Sequence, residues 1–221
     1  MIESSSRRSD EYWDHLYRHG GNSGTTLEGK SEVLNVFEEN AIPMSNVIDL
    51  GCGDMIMWEG HVFDSYFGID ASPAIINRNK TRYPNYRFEE GDISAAPFAV
   101  AAPTVTCFNV LFHVRDDEAF VRILKNMVAY STDYIVIVTW KTNPLNDKQV
   151  RRQILRNLLR RGRIGSWLRL VFASEIQDDL LYQKYRPFEK YISIFSDGGF
   201  RLVKTIDTGA HGAFYVFRKQ S

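Results

Sequence analysis

Residues 46–54 of this chain read Asn-Val-Ile-Asp-Leu-Gly-Cys-Gly-Asp. A short apolar run that contains one acid, Asp49, ends in two glycines, Gly51 and Gly53, which predicts a buried strand entering a tight turn. Glycine lets a backbone approach a ligand closely because it has no Cβ, and the free N–H groups of a following helix then point at that ligand. The stretch therefore predicts a ligand at the carboxyl end of a first strand.

Two classes of cofactor use a glycine-rich turn after a first strand. The dinucleotide fingerprint G-x-G-x-x-G needs a third glycine for close helix packing, and that position holds Ile56. Asp49 within the strand and Asp54 after the turn would repel a pyrophosphate, whereas they favour a ligand with positive charge. A sulfonium that also carries an amino group is such a ligand, so a nicotinamide oxidoreductase is disfavoured.

The segment Asp-Leu-Gly-Cys-Gly at 49–53 resembles the D-x-G-C-G first motif of the class I S-adenosylmethionine-dependent methyltransferases. The resemblance implies one α/β domain over residues 1–221, with a Rossmann-like, seven-stranded, mostly parallel sheet, a terminal antiparallel hairpin strand and helices on both faces. It also implies S-adenosylmethionine as cofactor, S-adenosylhomocysteine as product, and cofactor binding by Asp49, Gly51 and Gly53.

The composition of the chain limits the other possibilities. With 221 residues, 44% of them apolar, the chain can bury one good core. Lys plus Arg and Asp plus Glu number 27 each, so overall charge says nothing about nucleic acid and any electrostatic signal must be local. We expect no stable nucleic-acid partner. Cys52 and Cys107 lack metal-type spacing and predict no disulfide framework. The start is polar and no apolar run approaches about 18 residues, so we expect a soluble, cytoplasmic protein.

A helix with aromatic residues precedes the glycine turn. Tyr12, Trp13 and Tyr17 recur at helical spacing, and a glycine-rich connection around Gly24 follows. One interpretation is an amphipathic helix that packs on the domain. The other is a lid, residues 10–28, whose rings meet the sulfonium charge. In the methyltransferases that this chain resembles, such a start implies cofactor contact by Tyr12, Trp13, Tyr17 or Gly24.

Two acidic positions follow the second and third predicted strands. Asp70 lies 19 residues after Gly51, where a doubly wound fold places a carboxylate that accepts both ribose hydroxyls, and Ala71 adjoins it in the predicted site. The alternative for Asp70 is a cap on the next helix. After the third strand, the resemblance implies that Asp92 binds the adenine amino group and that Ile93 holds the ring. An ordinary turn-forming aspartate is the alternative there.

Chemistry is expected after the fourth predicted strand, 104–110, because ligands of an open α/β sheet lie outside the carboxyl ends of strands at the switch in strand order. This topology places Asn109 and His113 beside the donor methyl group, and we assign Asn109 to the cofactor site. A hydroxyl acceptor must lose its proton, and histidine suits that task near neutral pH. His113 is therefore the predicted base; the alternative is a histidine that packs against the strand.

Several other candidates have less support from their positions. His211, Tyr182 and Tyr185 are less favoured bases, and Asp116 with Asp117 at a helix start is more typical of caps than of metal ligands, so we predict no metal. The exit of the fourth strand lacks the N-P-P-Y or D-P-P-Y of adenine N6 methyltransferases and the Pro-Cys of cytosine C5 enzymes. A nucleic-acid base is thus not the expected acceptor.

The stretch 148–169 contains eight Lys or Arg and no acid, interleaved with apolar residues at helical spacing. It predicts a basic amphipathic helix inside an insertion, 144–187, that overhangs the acceptor pocket. The helix is either a solvated cover or a surface for an anionic partner, which would be a phosphorylated or nucleotide-linked acceptor or a transiently contacted membrane surface.

These features predict an O-methyltransferase that acts on a small molecule. A sugar or glycan hydroxyl is the favoured acceptor, because the glycine-rich start and the Leu-Phe-His exit at 111–113 resemble enzymes of polysaccharide modification. A small-molecule N-methyltransferase is the nearest rival. A cofactor-binding module without catalysis, docked on an anionic partner through the basic helix, is the rival from another class. The sequence does not indicate an oligomeric state.

Overall fold

The computed structural model describes residues 5–23, 27–160, 183–208 and 211–220. The helices are α1 (Ser5–Arg18), α2 (Leu27–Glu39), α3 (Pro73–Arg82), α4 (Asp117–Tyr130), α5 (Lys148–Arg160) and α6 (Ile192–Asp197). The strands are β1 (Asn46–Leu50), β2 (Ser65–Asp70), β3 (Arg87–Glu90), β4 (Ala102–Phe108), β5 (Ser131–Trp140), β6 (Phe200–Asp207) and β7 (Gly212–Lys219). Short 3₁₀ helices span Ile56–Trp58, Leu111–His113, Pro144–Asn146 and Phe188–Tyr191.

The strands form one sheet in the order β3-β2-β1-β4-β5-β7-β6. Strands β1 to β5 run parallel to one another, whereas β7 runs antiparallel to both β5 and β6. The order of connections reverses between β1 and β4, and this switch leaves a crevice at their carboxyl ends. The predicted fold, a mostly parallel seven-stranded sheet with a terminal antiparallel hairpin, is confirmed.

Both faces of the sheet carry a hydrophobic core, because successive side chains of a strand point to opposite faces. In β1, Ile48 and Leu50 pack into the cluster that contains buried residues of α4 and α6. Val47 packs into the other cluster, which contains buried residues of α2 and α3. Asp49, between Ile48 and Leu50 in the strand, is 4% exposed and points to the same face as Val47, where it contacts Tyr66 of the second cluster. The opening strand is therefore covered by helices on both sides, as a central parallel strand must be.

Three element boundaries differ from the sequence-based expectation. The helix that the sequence predicts after the glycine turn is only the 3₁₀ helix Ile56–Trp58, because Gly60 at φ 81° reverses the chain. Strand β4 ends at Phe108 instead of residue 110, since Asn109 adopts the left-handed conformation at φ 59°. Helix α1 begins at Ser5, before the expected start at residue 10.

Parts of the predicted site fall beyond the described ranges. Gly24 and Tyr182 belong to the segments 24–26 and 161–182, so their predicted roles lie outside the described residues. No helix within the described ranges is long and apolar enough to cross a bilayer.

Candidate active site

The turn after β1 is held in a shape that requires glycine. Gly51 and Gly53 have φ values of 76° and 49°, in the left-handed region that favours glycine. The N–H groups of Gly51 and Cys52 donate to the carbonyl oxygen of Ile69 at 2.8 and 3.1 Å, which ties the turn to β2. A Cβ at residue 51 would lie 2.3 Å from Val110 Cγ2. The turn after β1 and the exit of β4 are therefore in direct contact.

Asp70 connects this turn to the start of α3. Its Oδ2 accepts a hydrogen bond from the Gly53 N–H at 3.0 Å, and its Oδ1 accepts one from the Ser72 N–H at 2.9 Å. Ser72, not Asp70, is the N-cap of α3, since its Oγ accepts from the Ile75 N–H at 3.3 Å. The half-buried carboxylate retains lone pairs for further donors, and Ala71, also half-buried, follows it. Ribose binding by Asp70 stays a prediction that this geometry permits.

Burial raises the pKa of Asp70 from 3.8 to about 6, although its two backbone hydrogen bonds lower it. If the ionised carboxylate accepts ribose hydroxyls, the affinity for S-adenosylhomocysteine should rise about tenfold between pH 5 and pH 7, since about one carboxylate in ten is ionised at pH 5. Calorimetric titration across this range measures the effect, and Asp70→Asn should bind weakly with a flat profile. Equal pH dependence in the variant would contradict the assignment.

The raised pKa of Asp70 also predicts that the protein becomes less stable as the pH rises. The native protein binds the proton of the Asp70 carboxyl group more tightly than the unfolded chain does. Protonated Asp70 therefore increases the free energy of unfolding, and this contribution is complete below about pH 4. That contribution is lost as the pH rises from about 4 to about 6.

The first acid of the motif, Asp49, is engaged inside the protein. Its carboxylate accepts hydrogen bonds from Thr106 Oγ1 at 2.7 Å, the Tyr66 hydroxyl at 2.8 Å and Trp58 Nε1 at 3.0 Å. Burial raises the pKa of Asp49, and the three donors lower it. These donors belong to β4, β2 and the 3₁₀ helix after the turn, so Asp49 connects β1 to all three elements. Its contact with a cofactor stays a prediction.

Helix α1 docks on α3 beside the crevice. Asp14 Oδ1 accepts hydrogen bonds from Ser72 Oγ at 2.9 Å and from the Ala74 N–H at 3.2 Å, at the first turn of α3. In the other direction, the guanidinium of Arg78 in α3 donates to the carbonyl oxygen of Tyr17 and lies 5.8 Å from the Tyr17 ring centroid. Polar contacts at both ends of the pair therefore fix α1 over the site.

The segment after α1 reaches the glycine turn itself. The N–H and Oγ of Ser23 donate to the two carboxylate oxygens of Asp54, each at 3.0 Å. The Tyr17 hydroxyl lies 3.0 Å from where a Cβ on Gly53 would be, and burial raises the pKa of Tyr17. Sequence reasoning noticed Asp54 only as a local charge and missed this contact, because its partner is 31 residues away.

Five rings form a row along the carboxyl edge of the sheet. Adjacent ring centroids are 5.9 Å apart for Tyr17 and Trp13, 5.1 Å for Trp13 and His113, 4.6 Å for His113 and Phe112, and 4.5 Å for Phe112 and Trp140. The row runs from the glycine turn to the end of β5. Tyr12, 49% exposed, adds an edge-on contact to Trp13 at 5.4 Å. The structure thus brings the predicted lid residues and His113 together, and it adds Trp140, which sequence reasoning missed.

His113 and Asn109 occupy the exit of β4. His113 ends a 3₁₀ helix, is half-buried, and meets the Trp13 ring at an interplanar angle of 86°. It therefore borders α1, and its role as a base stays a prediction. Asn109 is exposed at φ 59°, and its N–H donates to the Val138 carbonyl at 2.9 Å. A left-handed residue other than glycine at a switch point is typical of a functional site.

The loop after β3 is stabilised from within. Both carboxylate oxygens of Asp92 accept from Ser94, at 2.8 Å from its N–H and 2.9 Å from its Oγ, as in an ordinary aspartate turn. Asn126 Nδ2 on α4 donates to the carbonyl of Ile93 at 2.8 Å, and Ile93 packs on the core. Asp92 is exposed and retains lone pairs, so its predicted adenine contact stays a prediction.

The less favoured candidates are occupied elsewhere. His211 Nδ1 lies 3.2 Å from Thr142 Oγ1, and the Tyr185 hydroxyl donates to the Lys141 carbonyl at 3.1 Å. Asp116 caps α4 by accepting from the Ala119 N–H at 2.7 Å, while Asp117 pairs with Lys184 and Arg186. In the part of the chain that the structure describes, no group of three or more His, Cys, Asp or Glu is arranged to hold a metal.

A family described as a methyltransferase domain matches residues 47–133, which contain the glycine turn, Asp70, the Asp92 loop and His113. The match spans 87 of the 221 residues, so this part of the chain is similar to a methyltransferase domain. Structures that share the fold have been solved with S-adenosylmethionine or its product S-adenosylhomocysteine bound. The site of this chain fits S-adenosylmethionine chemically, since Asp70 and Asp92 offer acceptors for hydroxyl and amino groups beside a glycine turn.

Solved structures share the fold of this chain at low sequence identity. Magnesium protoporphyrin IX methyltransferase from Synechocystis PCC 6803, with S-adenosylhomocysteine bound, is 15% identical, covers 95% of this chain and 94% of its own, and has a TM-score of 0.62. CalS10, an amino pentose methyltransferase from Micromonospora echinaspora, is 14% identical over 95% and 97% of the two chains, with a TM-score of 0.61.

A Rhodobacter sphaeroides protein described as a zinc-dependent alcohol dehydrogenase is 13% identical over 100% of both chains, with a TM-score of 0.65. At these identities the likeness concerns the fold and not the reaction. No curated protein matches the sequence.

Proposed function

We propose that this methyltransferase transfers a methyl group to a hydroxyl of a small molecule, with His113 as the base. The observation that carries the proposal is the position of His113, which leaves β4 at the switch point and meets Trp13 of α1 edge-on at 5.1 Å. S-adenosylmethionine supplies an electrophilic methyl group. The acceptor oxygen forms its bond to that methyl as the carbon–sulfur bond breaks, and its proton passes to the imidazole.

A sugar or glycan hydroxyl is the proposed acceptor. The stacked pair of Phe112 and Trp140, with rings 4.5 Å apart and 7° from parallel, lies next to His113 and provides flat apolar surface on which the C–H face of a sugar can pack. A structural neighbour is described as acting on an amino pentose, which supports acceptors of this class. An N-methyltransferase is the second candidate, supported by the same neighbour, whose substrate carries an amino group.

Methyl-labelled S-adenosylmethionine and a matched panel of acceptors test the proposal. The panel pairs each hydroxyl sugar with its amino sugar and each with its phosphorylated form, and mass spectrometry with NMR locates the methyl group. We expect transfer to oxygen. Transfer to nitrogen alone would establish the second candidate, and cofactor binding without turnover on any acceptor would favour a non-catalytic binding module.

We also propose that residues 10–28 act as a lid over the cofactor. Its described part contacts the glycine turn through Tyr17, the acid after that turn through Ser23, and α3 through Asp14. These contacts support a segment that closes over the crevice, with the rings of Trp13 and Tyr17 beside it.

The basic helix α5 supports an anionic acceptor. Lys148, Arg152 and Arg156 are four residues apart, share one helix face and are exposed, and none of them pairs with a carboxylate within the described ranges. The helix starts beside the terminal hairpin, because Asp147, which accepts from the Gln149 N–H at 2.7 Å, lies 3.6 Å from His211. We propose that α5 forms part of the insertion, 144–187, that covers the acceptor pocket.

Replacing Lys148, Arg152 and Arg156 by Gln should raise KM for phosphorylated acceptors about tenfold, since exposed charges contribute about 0.2–1 kcal/mol each. KM for neutral acceptors should not change. Exposed Lys80, Lys125 and Lys204, changed to Gln, provide the control. Unchanged kinetics together with lost binding to phosphatidylglycerol vesicles would instead identify a membrane surface as the partner.

We propose the cytoplasm as the compartment of this methyltransferase. Cys52 and Cys107 are buried free thiols, and burial raises the pKa of both, which suits a reducing environment.

A further inference from the structure

Arg186 is a buried arginine in the segment that joins the insertion to the 3₁₀ helix Phe188–Tyr191. It is 6% exposed, and its guanidinium lies 4.5 Å from the centroid of the Phe120 ring. A buried charge is costly unless it is paired and hydrogen-bonded. Among the described residues, the hydrogen-bond acceptors of Arg186 lie in the segment that follows β4, at residues 114–117.

The partners of Arg186 follow His113 directly in the chain. Its Nη1 donates to the Val114 carbonyl at 2.6 Å, its Nη2 donates to the Arg115 carbonyl at 2.9 Å, and its Nε donates to Asp117 Oδ1 at 2.9 Å. The planar fork of arginine reaches two successive carbonyls and a carboxylate at once, which the single ammonium of lysine cannot do. Arg186 therefore fixes the backbone immediately after His113.

The backbone just before His113 is held by the same segment. The N–H of Lys184 donates to the Phe112 carbonyl at 2.7 Å, and its ammonium lies 2.6 Å from Asp117 Oδ1. These cations lower the pKa of Asp117, Lys184 most strongly. Lys184 and Arg186, at the end of the predicted insertion, therefore hydrogen-bond to the backbone on both sides of His113.

We infer that Arg186 is a positioning residue that sets the His113 ring against Trp13, so that the end of the insertion controls the geometry of the base. The inference rests on the proposed function for its effect on the reaction. It also deepens that function, because it links the segment that covers the acceptor to the group that takes the acceptor proton. A displacement of about 1 Å at a reacting group costs up to about 100-fold in rate.

The first test needs no acceptor. The chain has five histidines, so an NMR spectrum of the histidine rings contains few signals. The signal that disappears in His113→Ala is that of His113. In Arg186→Lys we expect the His113 signal to lose the ring-current shift caused by Trp13, with the other histidine signals unmoved. Arg218→Lys is the matched control, since Arg218 also lies over an aromatic ring, at 5.2 Å, and beside an aspartate, at 3.6 Å, but at the opposite edge of the sheet.

The second test measures turnover. In Arg186→Lys, kcat should fall about 10- to 100-fold while affinity for S-adenosylhomocysteine stays at the wild-type level. If Arg186→Lys does not fold, Asp117→Asn, which removes only the carboxylate partner, should give a smaller shift of the same signal. An unmoved His113 signal in a folded variant, or an equal shift in Arg218→Lys, would overturn the inference. A moved signal with an active His113→Ala enzyme would instead overturn the proposed base.

Discussion

Gly51→Ala is expected to remove measurable binding of S-adenosylhomocysteine and to lower thermal stability. At φ 76° a Cβ costs on the order of 1–3 kcal/mol in backbone strain. That Cβ would also lie 2.3 Å from Val110 Cγ2, so the turn after β1 must separate from the exit of β4. The shift would displace the Gly53 N–H from Asp70, which it contacts at 3.0 Å.

A matched control separates the clash from the strain. Gly60 has φ 81° with open space where a Cβ would lie, so Gly60→Ala should show the strain alone and bind the product normally. Adding Val110→Ala to Gly51→Ala removes the clashing methyl groups and should restore part of the binding. Calorimetry and thermal unfolding measure these effects, and wild-type affinity in Gly51→Ala would refute the role of the turn.

His113→Ala should reduce kcat for hydroxyl acceptors by about 100- to 10,000-fold, the usual contribution of a positioned general base. The loss is expected because no other imidazole among the described residues belongs to the ring row: His211, for example, is 3.2 Å from Thr142 at the terminal hairpin. Affinity for S-adenosylhomocysteine should change little, since the hydrogen bond between the Gly53 N–H and Asp70 in the proposed cofactor site does not involve His113.

Three controls test whether His113 acts as a base. Imidazole added to the buffer should restore part of the activity of His113→Ala, and His211→Ala should behave like the wild type. With a neutral amine acceptor, which needs little help from a base, the loss should be small. A rise in KM at unchanged kcat would show that His113 binds the acceptor and takes no proton from it.

Local patterns in the sequence predicted the opening strand and its glycine turn, and the family resemblance of the motif at 49–53 implied the sheet. The paired glycines after an apolar run predicted the β1 turn, and the acid 19 residues later, Asp70, lies at that turn as expected. The prediction of a helix after the turn was wrong, because the sequence pattern does not show that Gly60 reverses the chain at φ 81° or that Trp58 is buried at 2% exposure and bonded to Asp49.

The aromatic residues of α1 illustrate a partial success. Their helical spacing predicted a helix, and their number suggested a lid, but spacing alone left open where that helix would dock. Its position follows from Asp14 at the first turn of α3 and from Arg78, contacts that join residues about 60 positions apart. A short polar residue such as Asp14 gives no signal in the sequence that it will accept hydrogen bonds from a distant helix.

The sequence by itself determined the strand that opens the domain, the turn that follows it, the acids at the ends of β2 and β3, and the terminal hairpin. Each is encoded within a few neighbouring residues, by periodicity, by glycine and by spacing. Only the tertiary structure decided that Asp49 faces three internal donors, that five rings line one edge of the sheet, and that Arg186 holds the loop after His113. Those arrangements depend on the packing of segments that are distant in the chain, and no local pattern specifies them.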